Sequence, residues 1–342
     1  MSDKTRQVEN MLLEQIISGE FLEGDPIPSR AQLMRRCDCS RTTIERAIRS
    51  LSEYGYLAGR KGSGTYVRCR NPEYEIRELR IVTGNDQLFS DSVFAELLLN
   101  KEAVGLPVIW FDVHRIRENI ERLTAPGGAI VWAFPDMTDL WLLKFIQNHS
   151  IPLLLLNRHY EGFNAIKTDV TTSIREGLTW LMIESGRELA FMAARPTWTR
   201  PFQQERVIAA FEAALMLDAR FKPDHLLLYE CYDIPRAIAE AEKKMFKAGK
   251  PPKGILVLTR EFALSLVVCA QSHNLKPGRD YKMLVFDYVP ELAGIPGIGM
   301  LRQRYPLFKE EVCRWLQSGA RQSGREDDRF LSEIKAELVI AE

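Results

Sequence analysis

From Arg80 to Phe286 the sequence alternates short apolar runs with longer amphipathic stretches, and this constrains the fold more than any other feature. The runs are Arg80–Val82, Val108–Phe111, Ala129–Ala133, Leu153–Leu156, Leu189–Met192, Leu226–Leu228, Gly254–Leu258 and Met283–Phe286. Between them lie helical patterns such as Leu140–Asn148, Ser173–Ile183, Phe202–Leu217, Pro235–Ala248 and Glu261–His273. Strand followed by helix at this spacing predicts parallel sheets with right-handed crossovers. Strands covered on both faces read as unbroken apolar runs, as Leu153-Leu154-Leu155-Leu156 does. Eight such runs suit two sheets of similar size, so the expected class is α/β.

Other architectures are excluded by what the chain lacks. No stretch approaches the roughly 20 apolar residues that span a bilayer. Met1–Glu20 carries charge throughout and has no signal-peptide core. The six cysteines are scattered except for Cys37 and Cys39, and with only five histidines no zinc-ligand spacing or disulfide framework emerges. The expectation is a cytoplasmic protein with reduced thiols and no membrane partner. Catalytic signatures are equally sparse: there is no Gly-rich phosphate loop, no metal-binding histidine pair and no nucleophile elbow. His149, His159, His225 and His273 stand isolated, as surface or core histidines do. The reading is therefore of a chain that is not an enzyme and needs no cofactor or metal.

The formal net charge of +0 hides an asymmetry. Between Arg30 and Arg70 ten basic residues face three acidic ones, so this segment carries +7 and the remainder −7. A basic patch confined to one short segment is the footprint of a polyanion binder. Its local pattern fits. Val8, Leu12 and Ile16 give one helical face over about Asp3–Ser18, closed by Gly19. Ser29 is an N-cap for a second helix through about Cys37, and Ser40 for a third through about Tyr54, whose buried stripe is Ile44, Ile48 and Leu51. Two short helices joined tightly through Asp38-Cys39 form a helix-turn-helix, whose second helix enters the major groove. Beyond it, Tyr56–Arg60 and Thr65–Arg68 flank a glycine-rich turn, Lys61-Gly62-Ser63-Gly64, and predict a β-hairpin wing.

Ile27-Pro28-Ser29, Ser40-Arg41-Thr42-Thr43-Ile44, Leu51–Leu57 and Gly62–Val67 resemble the GntR-type winged helix of bacterial transcription regulators, over about residues 5–70. The resemblance implies phosphate contacts from Ser29, Arg30, Ser40, Arg41, Thr43, Lys61, Gly62 and Gly64, and base readout by Thr42, Glu45 and Arg46. Two positions depart from the family pattern. Ala31 stands where an Arg is usual, with Arg30 one step earlier. Glu45 stands where Arg is favoured, followed by Arg46. Glu accepts from cytosine N4 whereas Arg prefers guanine, so a shifted base preference is expected.

The rest of the chain resembles the effector domain of LacI-type repressors, which is similar to periplasmic sugar-binding proteins. The resemblance is carried by Val93–Leu97, Ile151–Arg158, Ile166–Asp169, Ala210–Leu215 and Leu284–Asp287, with Glu337–Ile340 as a last strand. A GntR-type head on a LacI-type body is similar to the arrangement of the arabinose repressors. It implies two α/β lobes with a ligand cleft, lined by Phe94, Arg158, Trp198, Arg206, Arg260 and Asp287. Trp198, between Thr197 and Thr199, either stacks on a ligand or fills a core. Val207 and Thr259-Arg260 replace the family's Arg and Asn-Asp. An arginine in place of an acid leaves three readings open: an anionic effector, an Arg260–Asp287 pair with an atypical sugar, or a cleft that has lost its ligand.

The expected organisation is a winged helix over 1–70, a linker over 71–77 and an effector-binding and dimerisation domain over 78–342. Lobe 1 spans about 78–157 and 290–318, and lobe 2 about 160–287 and 328–342. The expected function is a transcription regulator, a repressor acting as a homodimer on a palindromic double-stranded operator and responding to a sugar or sugar-derived anion. The alternatives are a body that only dimerises and an enzyme on the α/β body.

Overall fold

The computed structural model describes residues 3–17, 20–21, 24–53, 56–60, 62–68, 76–84, 104–125, 127–148, 151–197, 201–230, 233–247, 251–318 and 329–341. The expected linker at Asn71–Glu75 lies outside them. Contacts divide the chain into two units: 1–135, 139–165 and 309–331 form the first, and 136–138, 166–308 and 332–342 the second.

In the first unit, helices α1 (Asp3–Ile17), α2 (Arg30–Cys37) and α3 (Arg41–Glu53) precede a hairpin of β1 (Leu57–Arg60) and β2 (Gly64–Val67). Their core is the expected one: Val8, Leu12, Ile16, Ile44, Ile48 and Leu51 are buried, with Leu33, Leu57 and Val67. Asp38 closes α2 in the left-handed conformation (φ 45°), with its N–H bonded to the Met34 carbonyl. The segment before α2 adds backbone bonds to the hairpin, Ile27 N–H to Thr65 O at 3.0 Å and Val67 N–H to Asp25 O at 2.9 Å. The wing is thereby tied to the helices rather than left as a free ribbon.

A sheet follows, from β3 (Glu78–Thr83), β4 (Val108–Asp112), β5 (Gly128–Ala133), β6 (Leu153–Leu156), β7 (Asn164–Asp169) and β13 (Leu331–Lys335), in the order β13-β7-β6-β5-β3-β4. Helix α4 (Leu140–Asn148) connects β5 to β6. Every residue of β5 and β6 is buried. Buried Arg80 bonds Glu78 at 2.6 Å and the carbonyls of Leu123 and Ala125, each at 2.6 Å. A charge this deep is tolerated because it is paired and its donors are used.

Residues 166–169 of β7 and 332–335 of β13 count with the second unit, whose own sheet has the order β14-β12-β11-β10-β8-β9. It comprises β8 (Glu188–Ala194), β9 (Arg220–Tyr229), β10 (Gly254–Val257), β11 (Lys282–Phe286), β12 (Ile298–Arg302) and β14 (Glu337–Ile340). Helices α5 (Val170–Ser185) and α6 (Pro201–Leu217) bury one face against Leu189, Phe191, Leu256 and Leu284. Helices α7 (Ile234–Ala241) and α8 (Arg260–Ser272) bury the other against Met192, Ile255, Val257 and Met283. Helix α9 (Tyr305–Gln317) follows β12.

Three expectations change. The stretch 290–308, expected in lobe 1, belongs to the second unit. Ile298–Leu301 is buried and pairs in parallel with β11, which it reaches through a short 3-10 turn at Pro290–Leu292 instead of a helix. Apart from the three residues 136–138, which belong to the second unit, the chain passes between units after 165, 308 and 331, later than expected each time. Finally, the sheets are not purely parallel, because β14 runs antiparallel to β12 at the edge.

Candidate nucleic-acid interface and effector site

Helix α2 opens on a reciprocal cap: Gln32 N–H donates to Ser29 Oγ at 3.3 Å and Ser29 N–H to Gln32 Oε1 at 2.8 Å. Two orphan donors are satisfied at once, which fixes the helix entrance. Arg30, the next residue, reaches the wing, its Nη1 donating to Thr65 Oγ1 at 3.5 Å. The recognition helix starts similarly, with Thr43 N–H donating to Ser40 Oγ at 3.3 Å. Because Ile44, Ala47, Ile48 and Leu51 face inward, Arg41, Thr42 and Arg46 are exposed and Thr43 and Glu45 half-buried.

Glu45 is engaged: it accepts from Arg41 Nε at 2.9 Å. The side chains are 72% and 44% exposed, so the pair is solvent-screened and costs little to open on a base edge. At the wing tip Gly62 and Gly64 have φ of +78° and +114° with open space where a Cβ would point. The constraint there is conformational, and glycine meets it without strain. Lys61 lies outside the described residues. Sequence reasoning missed Tyr66, whose hydroxyl donates to the Ser63 carbonyl at 2.9 Å and whose ring carries the Arg60 guanidinium 4.4 Å from its centroid. The basic-aromatic interleaving of Arg60, Tyr66 and Arg68 was the available signal. Ser29, Arg30, Arg41 and Gly64 border one groove of about 660 Å³ with Gln32, Ser63 and Thr65. Ser40, Thr42, Thr43, Glu45, Arg46 and Gly62 are not part of its lining.

In each body sheet the first strand in the chain lies between the second and the third, β4-β3-β5 and β9-β8-β10. Such a switch point opens a crevice beyond the carboxyl ends of the strands, where ligands of doubly wound sheets bind. In the second unit that end holds a continuous polar chain. Arg206 on α6 donates from Nη1 to Asp287 Oδ2 at 3.0 Å and to the Leu258 carbonyl at 3.2 Å. Its guanidinium lies 4.0 Å from the Phe286 ring centroid. Gln303 donates to Asp287 Oδ1 and accepts from Thr168 at 2.6 Å. Thr259 Oγ1 accepts the Ala194 N–H at 2.7 Å, tying the ends of β8 and β10.

Arg206 and Asp287 are brought together, so the open question about Asp287 is answered: its partner is Arg206 and not Arg260. Arg260, the first residue of α8, is exposed and has no ion-pair partner among the described residues. Gln303 was missed because it follows a strand the sequence reading overlooked. In the first unit Arg158 sits just after β6 with its guanidinium 5.4 Å from the Phe134 ring centroid. Phe134, Asn157 and Asp287 follow β5, β6 and β11 and all have positive φ, 51°, 56° and 84°. Non-glycine residues held there store strain, which concentrates at functional sites. Phe94 and Trp198 lie outside the described residues.

Known proteins match both parts. Residues 4–67 match the family described as bacterial regulatory proteins, gntR family. The mannosyl-D-glycerate transport/metabolism system repressor of Escherichia coli is 37% identical over 86 residues, 25% of this chain and 35% of that repressor. This chain thus spans about a third of that relative's length. The arabinose metabolism transcriptional repressor of Halalkalibacterium halodurans is 21% identical over 314 residues, 84% of this chain and 81% of its own. Among solved structures, a LacI-family regulatory protein from Chloroflexus aggregans superposes with a TM-score of 0.63 at 17% identity, covering 77% of this chain and 97% of that one. A complex of the transcriptional regulator CelR with cellobiose gives 0.61 at 15% identity over 97% of this chain and 98% of its own. The head is a GntR-type helix-turn-helix domain, and the body has the fold of LacI-type regulators. No described helix is long and apolar enough to cross a membrane.

Proposed function

We propose that this chain, a GntR-type head on a LacI-type body, is a cytoplasmic transcription repressor that binds a palindromic operator as a homodimer and answers to an anionic sugar derivative. The observation that carries the DNA-binding reading is the convergence of both helix entrances and the wing on one basic groove. Helix N-termini and arginines set phosphate register, while Thr42, Glu45 and Arg46 face outward for base edges. Residues 78–342 serve as the effector-binding and dimerising domain, and 71–77 as the coupling linker. Dimerisation is supported by Ile208, Phe211 and Leu215, exposed apolar residues at helical spacing along α6.

The anionic reading rests on charge. Arg206 and Asp287 neutralise one another, whereas Arg260, with no ion-pair partner among the described residues, brings a guanidinium to the entrance of α8, at the carboxyl end of β10. A carboxylate or phosphate on a sugar would meet that charge, with Gln303 and Asp287 taking hydroxyls. No catalytic role is proposed; the relatives named above are regulators. The test is a selection of random duplexes on the full chain, followed by titration of the selected duplex with neutral sugars, sugar acids and sugar phosphates. An enriched inverted repeat, with affinity altered by one anionic class, is expected. No enriched sequence would overturn the DNA reading. A response to neutral sugars alone would overturn the effector reading.

A further inference from the structure

Away from the groove and the crevice, the second unit gathers a donor set that residue spacing alone did not reveal. Cys269 and His273 stand one helical turn apart at the end of α8. Against them lies Glu242, which opens a π-helical turn (Glu242–Phe246) continuing α7. The thiol, imidazole and carboxylate atoms lie within 4.8 Å of one another, and His273 Nε2 is 2.9 Å from Glu242 Oε1. Each of the three residues is half-buried, so the set is held by packing yet open to solvent on one side. Short π-helical turns occur often at functional sites, and here the turn sets the position of one member of the triad.

A second observation points to the same spot. Tyr281 is 2% exposed, and its hydroxyl has no hydrogen-bond partner among the described residues. Tyr281 belongs to the buried cluster against which Cys269 packs, and burial above all raises its ionisation over the ordinary range. Its ring packs on Phe246 of the π-helical turn, with centroids 6.3 Å apart. A buried donor with no acceptor costs free energy, and a thiolate held by a metal is an acceptor that would relieve it.

We propose that Glu242, Cys269 and His273 bind one zinc-class divalent ion, with Tyr281 donating to the bound thiolate. The ligand chemistry is one sulfur, one nitrogen and one oxygen, which suits a borderline-soft ion in tetrahedral geometry with a fourth position for water. Tetrahedral bonds of zinc to sulfur and nitrogen place those atoms about 3.5 Å apart, so a small inward movement from the observed spread closes the site. Binding releases the thiol proton, and the ion replaces the His273–Glu242 hydrogen bond, the neutral imidazole keeping its single N–H on the ring nitrogen that does not bind the ion. It would pin the turn after α7 to the end of α8, at the opposite end of the sheet from the Arg206–Asp287 crevice.

The test uses the purified full chain, reduced and without a histidine tag, titrated with Co²⁺ and then with Zn²⁺. A thiolate-to-cobalt charge-transfer band saturating at one equivalent, and bleached by Zn²⁺, is expected. It should vanish in Cys269→Ser and persist when Cys37 and Cys39 are both replaced by Ser. Tyr281→Phe preserves the ring packing, so it should keep the band but weaken the affinity by about 10-fold to 100-fold. Circular dichroism confirms that each variant is folded. Absence of the band in folded wild-type protein, or its survival in Cys269→Ser, would overturn the site. An unchanged affinity in Tyr281→Phe would overturn the role of the phenol.

Discussion

Single side chains decide what each site can recognise. Glu45 accepts from Arg41 at 2.9 Å in the third helix, so the acceptor proposed to read a base also aims a guanidinium. Glu45→Arg removes the acceptor and sets two arginines against each other one turn apart. The expected outcome in a binding selection is a changed preferred base at one position per half-site, with discrimination there altered by about 1–3 kcal/mol. An unchanged motif would argue that Glu45 never meets a base. In the body, Arg206 and Asp287 are 13% and 16% exposed, and deleting one strands the other. Arg206→Ala should destabilise by about 3 kcal/mol, whereas removing both partners should cost less than the sum of the single losses. Chemical denaturation of the single and double variants measures this, and strict additivity would contradict the pair.

At the scale of elements, caps and crossovers do most of the positioning. Ser29→Ala breaks the reciprocal cap of α2 and should cost about 1 kcal/mol of head stability, read by hydrogen exchange of the α2 amides. Ser29→Asp keeps an acceptor and should restore protection, while the added charge beside the groove should still weaken DNA binding. The head was legible because its signals are local: N-cap serines, a buried stripe every three to four residues and glycines where φ is positive. Most body strands were legible for the opposite reason, since burial on both faces leaves an unbroken apolar run such as Leu153–Leu156. The strands that escaped lack that run. Leu331–Lys335 alternates exposed and buried positions at a sheet edge, and Ile298–Arg302 is interrupted by Gly299 and preceded by no helix. Gln303 was lost with it. The Glu242, Cys269 and His273 set was illegible because only packing brings the turn after α7 to α8.

For the whole molecule, the proposed control depends on coupling between body and head through residues 71–77. A ligand changes DNA affinity only through its differential affinity for two conformations of the body. Lengthening the segment Asn71–Glu75 with a flexible Gly/Ser insert should leave both binding reactions intact and abolish the effect of one on the other, measured by DNA titration with and without effector. A full response through a long insert would show that coupling runs by another route. Besides the short excursion of 136–138, the chain passes between the units after 165, 308 and 331, and the last passage has its own consequence. β13 and β14 are separated only by Ala336, yet one completes the first sheet and the other the second. During synthesis, therefore, neither sheet of the body is finished until the ribosome has passed Leu331, whereas the winged helix is complete some 260 residues earlier. A message broken in between would yield the head without the body proposed to govern it.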